Sequence, residues 1–493
     1  MAEEDKGFNI DKEKNFSEWF TEIVSYAELA DQRYRLKGFI VHMPNAAITE
    51  KRMYADMESS LETHGHKPAR FPSLIPEHYF AKEAEHIENF APNVFWVTKG
   101  GTDDEFEEKL AMRPTSETAM YDTYSQWIRS HRDLPLKIYQ SCQVWRYETK
   151  HTRPFLRDRE FHWIEAHDVF ATAEEAWNQV KEDMEMTYDV LRDKWGLPII
   201  FFHRPDWDKF AGGQHSFAAD ALMPDKKVLQ LPSTHFYGQN FAKSYNIKFL
   251  DENEKEKYAF QTTFGPAISR IYAALISVHG DNKGLRLPFG LAPTQVVIVP
   301  ILKADADSTT LLQECYDLQT QLRELDYRTE VDDSDKRPGS KYYYWEARGT
   351  PLRIEIGSKE LEKHELTIAR RDNGKKETIK QKDLETYIEK AVPEILKTLK
   401  DQTMKWFEGN THEATDFEEL GKQLEKGGFV KVNFCSREKD GLKCADKIGE
   451  AYHAEVRGTK FIEFGKEERV ANGAKCIGCG KEAKHVMYVA KAY

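Results

Sequence analysis

Between residues 146 and 161 the chain sets Arg146-Tyr147-Glu148, a short basic loop, and then Phe155-Leu156-Arg157-Asp158-Arg159-Glu160-Phe161. Charged side chains held in register between apolar stretches read as two strands joined by a loop. A planar guanidinium donates paired hydrogen bonds to a phosphate or a carboxylate. Such a segment can therefore hold a nucleoside triphosphate without a glycine-rich phosphate loop. Taken by itself it also fits a surface strand pair laced with salt bridges, and the rest of the chain has to decide.

A chain of 493 residues is too long for one hydrophobic core and points to about three domains. Apolar residues make up 40% and charged residues 31%, a balance that lets each domain bury a core and stay soluble. The net charge of -12 argues against a surface that is basic all over. It leaves room for local basic patches facing a polyanion, in Lys363 to Lys380 and in the Thr149–Arg159 loop. The acidic start Met1-Ala2-Glu3-Glu4-Asp5 is followed by no signal-peptide core. No apolar run approaches the roughly 20 residues that span a bilayer. Six cysteines in so long a chain do not form a disulfide scaffold. The expectation is a cytosolic protein with no membrane partner.

Periodicity divides the chain. Helical spacing is predicted over 13–30, 48–62, 173–195 and 266–279, with strands at 37–41, 71–76 and around 228–231. Thr172 and Glu175 have the spacing of a capping box, and Gly196 with Pro198 stops that helix. After a linker bracketed by Pro288 and Pro293 the elements alternate: strand 295–301, helix 308–325, strands 352–357 and 365–369, helix 383–399. That is a small α/β domain. The last 90 residues or so are charged, contain glycine and hold most of the cysteines. Cys142 and Cys315 lie in apolar patterns and read as inert core.

With Arg113-Pro114-Thr115-Ser116-Glu117 upstream and Phe264-Gly265-Pro266-Ala267-Ile268-Ser269-Arg270 downstream, the 146–161 segment forms an ordered set of three. In that order the chain resembles the class II aminoacyl-tRNA synthetases, and most closely the archaeal and eukaryotic type of prolyl-tRNA synthetase. The likeness covers nearly the whole chain. It implies an α+β fold: a catalytic domain built on an antiparallel sheet (1–290), an α/β anticodon-binding domain (291–400) and a small zinc-binding α+β domain (401–493). Residues 48–76, with Pro72, stand where the family builds its dimer interface, which implies a homodimer.

The resemblance also implies roles. Arg146 would clamp the α-phosphate of ATP and the proline carboxylate, and Arg270 would hold the γ-phosphate. Glu148 would accept from the adenine amino group, with Arg157 and Asp158 over the nucleotide. Gln230, Ser233 and Ile268 match further nucleotide positions. Proline would meet Thr115, Ser116, Glu117, Phe161, Trp163, His167 and His235. Ala267 stands where the bacterial branch has a second glycine. No side chain acts as nucleophile: the carboxylate of L-proline attacks the α-phosphorus, pyrophosphate leaves, and the 3′ end of tRNA(Pro) then displaces AMP. Positioning, positive charge and Mg²⁺ supply the catalysis. A pocket for a small apolar ring rejects a smaller residue only by about 1–3 kcal/mol per methylene, so misactivation of alanine or cysteine is expected. Phe161 and Gly265 lie too close in sequence for the editing insertion of bacterial relatives.

Glu346, Arg353, Glu360 and Lys375 match positions that read the guanines of the proline anticodon, and they fit ordinary surface charges as well. Cys476-Ile477-Gly478-Cys479 has zinc-knuckle spacing, and Cys435 with Cys444 completes a four-thiolate set that implies structural Zn²⁺. A redox pair is the rival there. Relatives of this type end in a tyrosine whose carboxylate turns back towards the active site, the place of Tyr493. A threonyl or glycyl synthetase and a non-catalytic tRNA-binding paralogue are the rival readings of the whole chain. The Thr115–Glu117 pair with the 161–167 aromatics opposes the first, and the presence of both Arg146 and Arg270 opposes the second.

Overall fold

The computed structural model describes residues 7–79, 94–102, 104–148, 151–302, 309–462 and 466–493. The acidic start and two residues of the basic loop, 149–150, lie outside them. Among the described residues no helix is long and apolar enough to cross a membrane.

The central element is an eleven-stranded sheet. From one edge its strands are Thr411–Glu413, Phe429–Phe434, His485–Ala490, Glu455–Lys460, Ile200–His203, His215–Leu222, Val228–Gly238, Phe260–Gly265, Glu160–Phe170, Leu136–Trp145 and Lys67–Pro68. All neighbours are antiparallel except the first and last pairs. Strand residues alternate between faces, and the sequence follows that alternation except where the register shifts at Ala218/Asp220 and Phe236/Gly238. Ile164, Ala166, Phe217, Phe236 and Phe264 pack into one large core with the helices Phe16–Tyr26, Pro44–Thr63, Ala173–Thr187 and Ile268–His279. The opposite face carries the polar and aromatic residues of the site.

Local chemistry sets the helix ends. Pro44 opens its helix at the first turn, where its missing N–H is no loss. The capping box is formed: Glu175 N donates to Thr172 Oγ1 and Thr172 N donates to the Glu175 carboxylate. That helix runs as an α-helix to Thr187 and continues as a π turn over Tyr188–Lys194. In Ile268–His279 every residue is buried except Arg270, so the one charge in the helix marks the direction of open space.

Several expectations change. The predicted strand at 37–41 is reduced to Val41–His42, paired with Ala30–Asp31. Gly38 turns the chain at φ +81° and its carbonyl is taken by Arg159 N at 2.8 Å. The strand expected at 71–76 is only Leu74–Pro76, because the carbonyls of Phe71 and Pro72 accept from the Arg113 guanidinium. The 228–231 strand extends to Gly238, and the 383–399 helix extends to Gly409 through Pro393.

The five-stranded sheet of the 296–380 region has the order Thr329–Val331, Val296–Pro300, Leu352–Ile356, Glu365–Arg370, Lys376–Lys380; three of these strands match the predicted ones, and the two edge strands, Thr329–Val331 and Lys376–Lys380, are additional. It is tied to the core by the Arg371–Asp281 ion pair (2.6 Å) and by Thr403 Oγ1 donating to Gly196 O (2.9 Å). The largest departure concerns the C-terminal region. It has its own small core, around Leu420, Val432, Phe434 and Ile448, yet it is not a free-standing appendage. Thr459 pairs with His203 and Lys460 with Phe202, so its sheet continues the catalytic sheet.

Candidate active site

Two cavities, of about 640 and 550 Å³, open on the polar face of the central sheet and share Asp208, Gln230 and Arg270. The smaller is lined by Thr115, Glu117, Arg146, Glu148, Phe161, Trp163, Ser233 and His235, together with residues the sequence reading passed over. The larger takes its walls from Arg153, Arg157 and Tyr493.

Arg146 leaves the end of the Leu136–Trp145 strand. Its Nε donates to Pro114 O at 3.1 Å, and its guanidinium lies 5.2 Å from the Phe161 ring centre and 5.5 Å from that of Trp163. Between Arg146 and Glu160 the loop folds back on itself: Arg153 and Arg157 exchange backbone hydrogen bonds of 3.0 and 2.9 Å. The Ile268–His279 helix is docked onto the Glu160–Phe170 strand by His162 N donating to Ser269 Oγ (3.1 Å) and Ile164 N donating to Pro266 O (3.0 Å). That docking brings Arg270 beside Gln230, whose carbonyl oxygen lies 3.5 Å from its Nη1. Burial, with the charges of Arg146 and Arg157 close by, pulls the pKa of Arg270 down to about 10. It remains a cation at neutral pH, but one crowded by like charge.

The floor of the smaller cavity is a carboxylate network. Thr115 Oγ1 donates to Glu117, and Tyr237 Oη donates to the other Glu117 oxygen at 3.0 Å. Glu165 accepts from Ser116 N (3.1 Å), from Ser116 Oγ and from Gln140 Nε2 (3.0 Å), and it faces His167 Nε2 at 3.2 Å. Burial works against its charge, but these bonds and Arg113 outweigh it and hold its carboxyl below the usual range. His235 is enclosed, and burial lowers its pKa to about 3, so it is neutral. It lies within hydrogen-bonding distance of Ser216 Oγ (2.7 Å) and Ser233 Oγ (3.1 Å).

Four expected site residues stand behind the walls rather than in them. Ser116 and His167 are fully buried and support Glu165, with His167 Nδ1 also meeting Tyr121 Oη at 2.9 Å. Asp158 does not reach over the cavity: its carboxylate accepts from Phe155 N at 2.6 Å and is buried near His42. Ile268 is buried at the first turn of its helix. The sequence reading missed Glu165, Tyr237, Phe210, Ser216 and Arg204, all of which line the cavity. Strand alternation was the available signal, since Phe161, Trp163 and Glu165 share a face, as do Ser233, His235 and Tyr237.

In the 296–380 region Arg353 Nη1 donates to Glu346 at 3.0 Å and the guanidinium stacks over Tyr342 at 3.9 Å. Glu360 is engaged in its own helix start, accepting from Gly357 N at 3.1 Å, and Lys375 is exposed on a turn. In the C-terminal region the sulfurs of Cys435, Cys444, Cys476 and Cys479 lie within 4.8 Å of one another. Cys435 and Cys444 are 3.7 Å apart, far longer than a disulfide bond. Burial raises the Cys435 thiol to about 11, while the Lys481 backbone N–H and its thiol neighbours hold the Cys479 thiol low despite some burial. Four sulfurs converging from a helix, a strand end and a turn form a set that could hold a tetrahedral metal ion.

Residues 95–279 match the tRNA synthetase class II core domain (G, H, P, S and T), 295–391 an anticodon binding domain, and 417–493 the prolyl-tRNA synthetase C-terminal domain. A proline–tRNA ligase of Thermofilum pendens is 47% identical over 99% of this chain and 100% of its own length, and one of Methanosarcina mazei is 40% identical over 100% of both. The chain belongs to the prolyl-tRNA synthetase family. Among solved structures, the Giardia lamblia prolyl-tRNA synthetase in complex with prolyl-adenylate superposes with a TM-score of 0.94 at 34% identity, over 99% of this chain and 100% of that one. The Cryptosporidium parvum enzyme complexed with halofuginone and AMPPNP gives 0.92 at 30%, over 99% of both chains. The threonyl, glycyl and non-catalytic alternatives fall away.

Glu165 collects so many donors that its charge, not only its shape, holds the floor together. Glu165→Gln puts an amide among donors and is expected to lower stability by about 2–3 kcal/mol. Thermal denaturation checks this, and the KM for the amino acid should rise with it.

Proposed function

We propose that the two cavities form one site in which proline and ATP are brought together and the product adenylate is held for tRNA. The observation that carries this reading is that Arg270 lines both cavities, with Arg146 and Glu117 in the wall of the smaller, Arg157 in the wall of the larger, and both guanidiniums close enough to lower the Arg270 pKa. Membership of the family carries the reaction: L-proline and ATP give prolyl-adenylate and pyrophosphate, and the prolyl group passes to the 3′ end of tRNA(Pro).

Glu117 and Thr115 would receive the secondary ammonium of proline, with Phe161, Trp163 and His235 around its ring. A neutral His235 suits an apolar ring and adds no repulsion to the ammonium. Arg146, lying between the aromatic faces and the shared space, would bridge the proline carboxylate and the α-phosphate and so align the in-line attack. Arg157 and Arg270 would hold the outer phosphates, and Glu148, Gln230 and Ser233 the nucleoside. As pyrophosphate departs, its charge is met by guanidiniums already in place, which need no reorganisation. Mg²⁺ arriving on the phosphates would add counter-charge. The third carboxylate, Glu165, holds the Thr115–Glu117 turn from behind, so the ammonium meets a fixed geometry. A ring-sized box rejects alanine and cysteine only weakly, and misactivation of both goes with this reading.

Three working units follow, 1–290, 291–400 and 401–493. The Glu346–Arg353 pair and the exposed Lys375 support a surface for the anticodon bases, with Glu360 contributing through its helix start. The four cysteines support a structural Zn²⁺, since a complete thiolate set leaves no open position for water. Exposed Leu36, Val41, Ile48 and Leu74 lie on or beside the 48–76 region and support a homodimer interface there. The cytoplasm is the compartment that fits free thiols and a tRNA substrate.

Proline-dependent ATP–pyrophosphate exchange tests the reading directly, and Arg270→Ala is expected to slow it by about 10²-fold or more. Exchange with another amino acid and not with proline would defeat it. Metal analysis should find one zinc per chain, and removal by a chelator should lower the melting temperature of the C-terminal unit; a chain that retains full stability with no metal would refute the structural role. Sedimentation at micromolar concentration should give a species of twice the 57.3 kDa chain mass.

A further inference from the structure

One buried ionic group crosses the seam between the C-terminal unit and the catalytic sheet, with Arg204 at the edge of the smaller cavity and Arg457 at the edge of the larger. Arg457, on the Glu455–Lys460 strand, reaches into the catalytic layer. Its Nε donates to Asp220 Oδ2 at 2.7 Å and its Nη2 to Asp220 Oδ1 at 3.0 Å, a two-pronged grip. Asp220 is fully buried and also accepts from Arg204 Nη2 at 2.6 Å. That same Nη2 donates to Gln230 Oε1 at 3.2 Å, while Arg204 Nη1 donates to the Arg457 carbonyl at 3.1 Å. The group therefore runs from Arg457 through Asp220 and Arg204 to the side chain of Gln230. Gln230 borders both cavities, and its carbonyl faces Arg270.

Two irregularities in the sheet build this contact. The register of His215–Leu222 against Val228–Gly238 shifts between Ala218 and Asp220. The register of Glu455–Lys460 against His485–Ala490 shifts between Val456 and Gly458. A bulge re-aims the side chains beside it, and here two bulges turn Asp220 and Arg457 toward each other. Gly458 is held at φ +114°, and a Cβ there would lie 2.1 Å from His203 O, so the strands approach only because no side chain is present. Glu455 and Asp208 complete the surroundings: Glu455 is bound by Arg457 Nη1, and Asp208 lies 3.7 Å from Arg204.

A buried ion pair adds little to stability beyond what an apolar pair of the same shape would give. Its distinctive property is that it fixes orientation. Gln230 has one side-chain oxygen, and Arg204 takes it, so the amide nitrogen is turned away from Arg204. The orientation holds only while Asp220 stays pinned between the two guanidiniums. We propose that Arg457 is a positioning residue for the nucleotide: acting through Asp220 and Arg204, it fixes the Gln230 amide, so that the seating of the C-terminal unit sets the affinity for ATP. This rests on the reading of Gln230 as a nucleotide contact.

The test is a double-mutant cycle on the full chain, read by pyrophosphate exchange with the KM for ATP and the KM for proline measured separately. Arg457→Met is expected to raise the KM for ATP about tenfold, with the KM for proline changed by less than about twofold. In a Gln230→Ala background the same substitution should then have little further effect. Arg457→Lys keeps the charge but cannot span both carboxylate oxygens, and it should fall between; it replaces Arg457→Met in the cycle if that variant does not fold. If Gln230→Ala raises the KM for ATP and the effect of Arg457→Met simply multiplies with it, the inference is overturned while the reading of Gln230 stands. Parallel rises in both KM values would show general loosening and overturn it too. If Gln230→Ala leaves the KM for ATP unchanged, the reading of Gln230 fails and takes the inference with it.

Discussion

Like charge confined in a half-dry space is the constraint on which this molecule is organised. Arg270 feels the charges of both Arg146 and Arg157, and the acceptors are few: a carbonyl for Arg146, a distant carbonyl for Arg270, and the faces of Phe161 and Trp163. Desolvation and repulsion together pull the Arg270 pKa down to about 10, and the guanidinium keeps its charge at neutral pH. A polyphosphate relieves both at once. Keeping three cations in such a place requires supports that do not yield. The supports are a helix buried at every position but one, and a strand to which that helix is bonded at two points.

The sheet turns one chemical pattern into two environments. Along Glu160–Phe170, alternate residues go to a core of aromatic and aliphatic side chains or to the site, so rigidity on one face is inherited by the other. Behind the cavity floor the polar residues are layered. Glu117 and Thr115 face open space, Glu165 holds them, and Ser116, Gln140 and His167 hold Glu165. The carboxylates of this floor are therefore oriented by bonds within the protein.

Much of this was legible in the chain. The capping box at Thr172 and Glu175, the end of the helix before Gly196, and the alternation of strand and helix after Gln295 are local signals, and they appear where their chemistry puts them. Arg146, Arg157, Arg270, Phe161 and Trp163, singled out by residue type and spacing, all line the two cavities. Asp158 was misread because an acid beside two arginines looks like a site residue, whereas its register turns it inward to bond Phe155 N. Ser116 and His167 were placed one layer too far forward, since sequence gives side but not depth. Glu165 was passed over although its parity with Trp163 announced it. The union of the C-terminal sheet with the catalytic sheet had no local signal at all. It depends on pairing Thr459 with His203 across more than 250 residues, and on a glycine whose need is visible only once both strands are present.

That seam has a consequence for the lone catalytic sheet. Ile200–His203 is flanked on one side by His215–Leu222 and on the other only by Glu455–Lys460. Were the C-terminal strands to peel away, the sheet would end in a bare row of amide and carbonyl groups with Ile200, Phe202 and Val228 uncovered beside it. An edge of that kind recruits any passing extended chain. The C-terminal region thus also covers this edge, pairing Thr459 with His203 and Lys460 with Phe202.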